Sequence, residues 1–465
     1  MGRYLVFALL AGAGLAGCAS QPLPDLRAPV PGEWRHAVAG APGDTPTDLR
    51  GWWQAFGDSS LNALVDQALA HNLDVAQAAE RVRAARALHG RAGSAFLPQL
   101  HAKTEDVDAP DAGASYFVAG FDAAWELDVF GRGTAVRRVA QGDLDAATAD
   151  LQGARVSLVA EVVRDWLDMR AAQQQLQGLQ QVRDARQRQV DLLQVRQRLR
   201  LADAEAVQRA TAALAQADAA MLEPRNAVDA DAQRLAVLLG TTESDPAWAR
   251  PGALPTLGAW NLPSAPADLL RSRPEIQRAE ADVLRAAGAA GIAHADRYPS
   301  LAIGGSLTWS ATLQSHRNTG DNPVAAIGPL IDIPLFDWGM RAAQEDAKRH
   351  ELEASVLAYR QSVLEGVADV ETALGRLQRQ AEYERQCADA AAALERADTV
   401  VARRAALRLA GPDDQIESAI AHDEAALALV QARAGRDLAF VSLFKALGGA
   451  PLPPADHAPP AGAHD

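Results

Sequence analysis

The chain has 465 residues, with 45 Lys plus Arg against 59 Asp plus Glu, a formal net charge of −14, two cysteines and 48% hydrophobic residues. That acidic balance excludes a nucleic-acid partner, which needs clustered Lys and Arg to displace counterions. Two cysteines build neither a disulfide framework nor a cysteine-rich zinc site.

Residues 1–17 carry Arg3, an apolar run from Tyr4 to Ala16 and a small-residue end, the pattern of a signal peptide too short to span a bilayer. Leu15-Ala-Gly-Cys18 resembles the lipobox of bacterial lipoproteins, which implies acylation of Cys18 as the first mature residue. Ala19 and Ser20 follow without an Asp, which in lipoproteins implies transfer to the outer membrane. Gly12-Ala-Gly14-Leu-Ala-Gly17 matches a dinucleotide-binding pattern, but it follows no strand and lies in the cleaved segment. No later segment has the roughly 18 consecutive apolar residues of a membrane helix, so a spanning chain must span as strands.

Residues 18–58 read as a lipidated, extended arm with Trp34, Trp52, Trp53 and Phe56 as aromatic anchors. From Ser59 the apolar spacing turns helical, capped by Ser59 or Asp58 and running to about Ala95. No proline occurs between Pro110 and Pro224, nor between Pro334 and Pro412, and these gaps admit long helices. In the first gap Leu151, Leu158, Val162, Trp166, Met169, Leu176 and Leu179 form a coiled-coil seam; in the second, Leu352, Val356, Val363, Val367, Val370, Leu374 and Leu377 do so. A helix from Gly133 to Leu201 would be about 100 Å long. Cys387 keeps the second register and is expected to be a small buried hydrophobe.

The chain repeats itself. Asn72-Leu-Asp-Val75 precedes Pro98 as Arg273-Pro-Glu-Ile276 precedes Pro299, and Leu239-Gly240 is answered by Leu447-Gly448. Residues 59–262 and 263–449 are therefore two copies of one unit, followed by a Pro-rich tail, 450–465, expected to be disordered. Each copy contains a strand pair. In 116–128 the odd positions Phe117, Ala119, Phe121, Ala123, Trp125 and Leu127 are apolar, and in 299–310 Leu301, Ile303, Leu307 and Trp309 share a face. Residues 97–107 and 324–335 are the partner strands, and 106–115 and 311–323 the expected hairpin loops. Period two with one apolar face suits a barrel wall between lipid and water. Four strands cannot close a barrel and an open edge in lipid is forbidden, so the barrel must be shared between chains. The fold class is α+β: a long α-helical coiled-coil barrel plus a four-strand contribution to an intersubunit transmembrane β-barrel, in two internal repeats.

The sequence resembles the TolC-like outer-membrane efflux family, in particular the lipoprotein branch of resistance-nodulation-division systems (NodT type). The resemblance rests on Trp53-Gln-Ala-Phe-Gly-Asp58, Ala68-Leu-Ala-His-Asn-Leu-Asp-Val75, Phe96-Leu-Pro-Gln-Leu100, Trp125-Glu-Leu-Asp-Val-Phe-Gly131, Arg273-Pro-Glu-Ile276, Tyr298-Pro-Ser-Leu301, Ile333-Pro-Leu-Phe-Asp-Trp-Gly339 and Lys445-Ala-Leu-Gly-Gly449. It implies a homotrimer with a twelve-stranded barrel in the lipid bilayer, docking to a periplasmic adaptor (membrane fusion) protein and an inner-membrane pump. The family contacts its adaptor through helical turns with an Arg-x-x-Gly pattern, which here implies Arg408 and Gly411 in the second copy, and Arg200 and Asp203 in the first. Asp203 stands where Gly is usual, at a position expected to be left-handed. The family's acidic periplasmic gate implies Asp413, Asp414 and Glu417, which equally read as helix caps, while Ile420 stands where Asp is common in relatives. Phe130, Gly131, Phe336, Trp338 and Gly339 sit at the strand-to-helix passages, where aromatics suit the membrane interface.

Ten histidines form no ligand cluster, and neither a nucleophile elbow nor a P-loop occurs, so no metal, cofactor or enzyme activity is expected. The reading is a passive outer-membrane exit duct for drugs or other small molecules, opened by an adaptor. A metal-ion or type I protein export duct shares these features, although four Met disfavour soft-metal export. A periplasmic coiled-coil scaffold lipoprotein that never spans is the alternative from another class.

Overall fold

The computed structural model describes residues 23–26, 30–36, 47–107, 116–262, 270–312 and 323–453. The signal segment, Cys18, the connections 108–115 and 313–322, and the tail from 454 lie outside these residues.

The first repeat runs α1 (Ser59–His71), α2 (Leu73–His89), β1 (Gln99–Val107), β2 (Tyr116–Leu127), α3 (Arg132–Arg198), α4 (Ala204–Ala220) and α5 (Leu222–Leu238). The second runs α6 (Pro274–Ala295), β3 (Ser300–Thr312), β4 (Val324–Asp332), α7 (Met340–Ala406) and α8 (Pro412–Ala446). Both long helices, α3 and α7, have 67 residues. Helix α8 is continuous for 35 residues, whereas its counterpart is split at Met221, with Pro224 in the first turn of α5.

The single helix expected from Ser59 to about Ala95 is broken at Asn72, whose backbone is extended (φ −64°, ψ 129°). Its Oδ1 accepts the N–H groups of Asp74 and Val75, each at 3.0 Å, and its Nδ2 donates to the Leu238 carbonyl at 3.0 Å. A side-chain acceptor thus replaces the helical ladder and starts a second helix. Asp58 caps α1, accepting from Ser60 N at 2.8 Å.

The chain forms two compact units, one of residues 1–28, 80–149 and 277–362, the other of 29–79, 150–276 and 363–465. The first holds a four-stranded antiparallel sheet in the order β1-β2-β3-β4. Its register places Leu100, Ala102 and Thr104 of β1 beside Ala123, Phe121 and Ala119 of β2. Those in turn face Gly305, Leu307 and Trp309 of β3, and Ile303 of β3 pairs with Pro329 of β4, as Gly305 does with Ile327. From Leu100 to Thr104 of β1 and across β2, β3 and β4 this face carries only uncharged residues, with Trp125, Ile303 and Ile327 exposed on it, while Asp106 holds the same register face at the hairpin end of β1. His101, Lys103, Asp122, Glu126 and Asp332 stand on the other. In the same unit α6 packs closely on α3, since a Cβ on Gly288 would lie 2.7 Å from Val139 N and 2.8 Å from Ala135 O.

The second unit is built on an aromatic core. Trp52 stacks on Phe444 with centroids 5.5 Å apart and donates from Nε1 to the Gly449 carbonyl at 3.0 Å. Trp53 and Phe56 are buried with it, so three of the four expected anchors hold the arm to the body, on a short 3-10 helix (Trp52–Phe56) where an extended chain had been expected, and Trp34 is only half-buried. Trp166 Nε1 donates to Asp58 Oδ2 at 2.8 Å, and Arg273 donates to the Gly366 carbonyl and Asp369, both at 2.9 Å. Of the first seam Leu151, Leu158, Val162, Trp166 and Met169 are buried, and of the second Val363, Val370, Leu374 and Leu377. Cys387, expected to be buried, is half-buried. The first tail residues belong to this body: Ala450 is buried, and Arg155 Nε donates to the Pro451 carbonyl at 3.0 Å.

Candidate functional site

The two turns that end the long helices share one geometry. After α3, Leu201 N donates to Arg196 O at 2.8 Å and Arg200 N to Gln197 O at 2.9 Å; after α7, Leu409 N donates to Arg404 O at 2.8 Å and Arg408 N to Ala405 O at 2.9 Å. This paired pattern is a Schellman motif, which needs a left-handed residue at its penultimate position. Arginine supplies it both times, Arg200 and Arg408 each having φ 60°. A non-glycine residue there costs about 1–2 kcal/mol, so each repeat stores strain at its tip.

The expectation that Asp203 occupies the left-handed position is corrected. Asp203 is extended (φ −84°, ψ 164°) and accepts from Ala206 N at 2.7 Å as the N-cap of α4, and Gly411 holds the matching N-cap position of α8 (φ −84°, ψ 169°). Extended N-caps favour Asp, so the departure from glycine stabilises the turn where strain had been expected.

Within the second unit, the C-terminal part of α3 and the N-terminal part of α8 run antiparallel and meet at regular intervals. Asp413 pairs with Arg196, Ile416 and Ile420 pack with Ala185 and Leu192, Glu424 lies 3.4 Å from Arg186, and Leu427 fits over Gly178. A Cβ on Gly178 would come within 2.5 Å of Leu427 Cδ2, so glycine is what lets the helices close there. Ile420 is 5% exposed and belongs to this apolar contact, which explains an apolar residue at that position.

The three candidate gate acids separate in role. Asp414 accepts from Gly411 N at 2.8 Å and completes a cap; Asp413 is committed to Arg196; Glu417 is exposed in the next turn. The sequence reading missed Arg196, Ala185, Gly178 and Leu427, whose only signal was the spacing of Ile416, Ile420 and Leu427 and an isolated helical glycine. It also missed Asp423, three residues beyond Ile420. Burial pushes its carboxyl above the usual range despite His422 Nδ1 at 3.3 Å and the cation of Arg188, with Asp398 adding like charge.

The strand-to-helix passages lie in the first unit. Gly131 (φ 78°), Trp338 (φ 58°) and Gly339 (φ 82°) turn the chain through left-handed conformations. Asp128 accepts from Gly133 N at 2.9 Å to start α3, and Asp337 accepts from Arg341 N at 3.1 Å to start α7. The N–H of Arg341 holds the Asp337 carboxyl below its ordinary range. Among the described residues no helix is long and apolar enough to cross a membrane, and no group of three metal-ligating side chains occurs.

The family model for outer membrane efflux protein matches residues 64–241 and 265–449. A pyoverdine export outer membrane protein of Pseudomonas putida, OpmQ, is 30% identical, the match covering 94% of this chain and 95% of that one. Outer membrane protein OprJ of Pseudomonas aeruginosa is 28% identical over 96% and 95%. The outer-membrane channel OprN has a TM-score of 0.80 at 26% identity, covering 93% of this chain and all of that one. The open state of the Neisseria gonorrhoeae MtrE channel has a TM-score of 0.75 at 24% identity, covering 91% and 98%, and shares the fold. The chain belongs to the outer membrane efflux protein family. It is an exit duct of the bacterial outer membrane, of a family of channels and not of enzymes.

Proposed function

We propose that three copies of this chain, anchored by acylated Cys18, close a shared barrel and helical duct. In this reading the duct conducts drugs or other small molecules passively after a periplasmic adaptor, coupled to an inner-membrane pump, engages the two helical turns. The carrying observation is the pair of matched turns with strained Arg200 and Arg408, next to the α3–α8 contact that opening would have to loosen. The largely apolar face of a sheet whose β1 and β4 edges have no partner strand among the described residues supports closure by further copies in lipid. Arg200, Asp203, Arg408 and Gly411 are the adaptor-facing positions. Asp413 and Glu417 act on the gate, Asp413 through Arg196 and Glu417 as the exposed acid of the entrance, while Asp414 caps.

Purified mature protein in planar bilayers tests this. Small cation-preferring steps are expected, growing in Asp413→Ala/Glu417→Ala. Steps that the double variant leaves unchanged would reduce both acids to helix caps. No conductance from folded protein would favour a scaffold that does not span.

A further inference from the structure

The N-terminal arm reaches the second long helix at Glu371, within the second unit. Arg35 N donates to Glu371 Oε1 at 2.6 Å and His36 N to Oε2 at 3.3 Å, and His36 Nδ1 lies 3.0 Å from Oε2. Two backbone donors and an imidazole thus converge on one carboxylate of α7, whose side chain is 20% exposed. Burial raises the Glu371 carboxyl, yet these donors bring it below its ordinary range. One turn further on, a Cβ on Gly375 would lie 3.2 Å from His36 Nε2 and 3.3 Å from the Arg379 guanidinium, so glycine gives the imidazole its seat. The contact falls at a particular place on α7. Val363, Val370, Ala373, Leu374 and Leu377 are buried, whereas no residue from 378 to 406 is buried against the described chain. Glu371 therefore lies on the stretch that anchors α7 in its unit, and about 44 Å of helix runs on from Leu377 to the turn at Arg408.

We propose that Arg35 and His36 form an autoinhibitory clasp on α7, holding Glu371 so that the α7–α8 pair cannot swing away from α3 and the duct rests closed. This rests on the reading of the chain as a duct that opens by loosening the α3–α8 contact. Helix α8 follows α7 directly through the turn at Arg408, and Arg436 of α8 donates to Glu384 of α7 at 2.8 Å, so the two helices move as one lever. When Ile416 and Ile420 leave Ala185, that lever pivots on the anchored stretch of α7, where the clasp sits. The clasp is sensitive to rotation of the helix. At a side-chain radius of about 6 Å, a turn of roughly 30° carries a carboxylate about 3 Å, enough to part it from every donor at once. The two main-chain donors belong to consecutive residues and cannot follow unless the arm itself lifts.

Full-length protein in planar bilayers tests the clasp, with trimer migration and melting temperature recorded for each variant. Glu371→Ala is expected to raise the resting open probability about tenfold, the worth of one charged hydrogen bond. Gly375→Ala should act in the same direction by displacing the imidazole while Glu371 stays in place, and Glu371→Gln should act less, because its amide oxygen still accepts from Arg35. Hydrogen exchange supplies a readout independent of current: Glu371→Ala should exchange faster in residues 378–406 and at the wild-type rate in 150–198. A lower melting temperature with open probability unchanged makes the contact merely structural and overturns the proposal. Exchange that rises equally in both segments, or in neither, overturns it too. Folded wild type that never conducts sinks the duct reading itself, and the clasp as a brake with it.

Discussion

Replacing Ile420 with alanine removes most of a side chain that is 5% exposed and packed on Ala185 and Ile416 between α8 and α3. Such a truncation costs about 2–5 kcal/mol through lost transfer energy and the cavity left behind. If the contact opens with the duct, about 3 kcal/mol per copy is a shift of roughly a hundredfold in the closed-to-open ratio. The neighbouring ion pair is the natural rival. Arg196 and Asp413 are 33% and 48% exposed, and pairs so accessible contribute about 0–1 kcal/mol, less in salt. Arg196→Ala is therefore expected to raise open probability only a few-fold, and Ile420→Ala far more. Single-channel recordings of both variants at equal ionic strength decide, with trimer migration confirming assembly. Arg196→Ala opening as fully as Ile420→Ala, or a silent Ile420→Ala, would refute the claim that apolar packing holds this part of the duct closed.

Asp437 gives a pH test. It is fully buried with Arg436 donating to Oδ1 at 2.7 and 3.0 Å, and burial pushes its pKa up to about 6. With a folded value above the unfolded one, its contribution is favourable below about pH 4 and lost as pH rises to about 6, the ionised group costing about 3 kcal/mol at pH 7. Asp437→Asn should therefore unfold at higher temperature than wild type at pH 7.5, the gap closing towards pH 4.5; parallel pH profiles would contradict this. Arg200→Gly and Arg408→Gly should each relieve about 1 kcal/mol of left-handed strain and raise the melting temperature, while reducing adaptor-dependent drug tolerance in cells. Asp203→Ala should cost about 1 kcal/mol and Asp203→Gly only a few tenths, as for a helix cap; stabilisation by Asp203→Gly would restore the discarded left-handed assignment.

The long helices were legible because proline-free gaps and apolar steps of three, four and seven are consequences of local geometry, and the family followed from short motifs spread over both repeats. Strand identity was legible in β2 and β3, where period two is strong. What the sequence by itself determined about this protein was thus the class of each element, the repeat, and the chemistry each position offers. Tertiary structure decided the rest. Asn72 breaks a helix because its amide reaches Leu238, and Asp203 is unstrained because the left-handed residue falls three places earlier, at Arg200. Register alone put the even residues of β1 on the face of the odd residues of β2. Phe130 and Trp338 occupy similar motifs, yet one is covered by Tyr298 and the other stands in the open. Periodicity is a property of one segment, whereas burial, register and strain depend on which distant segment packs against it.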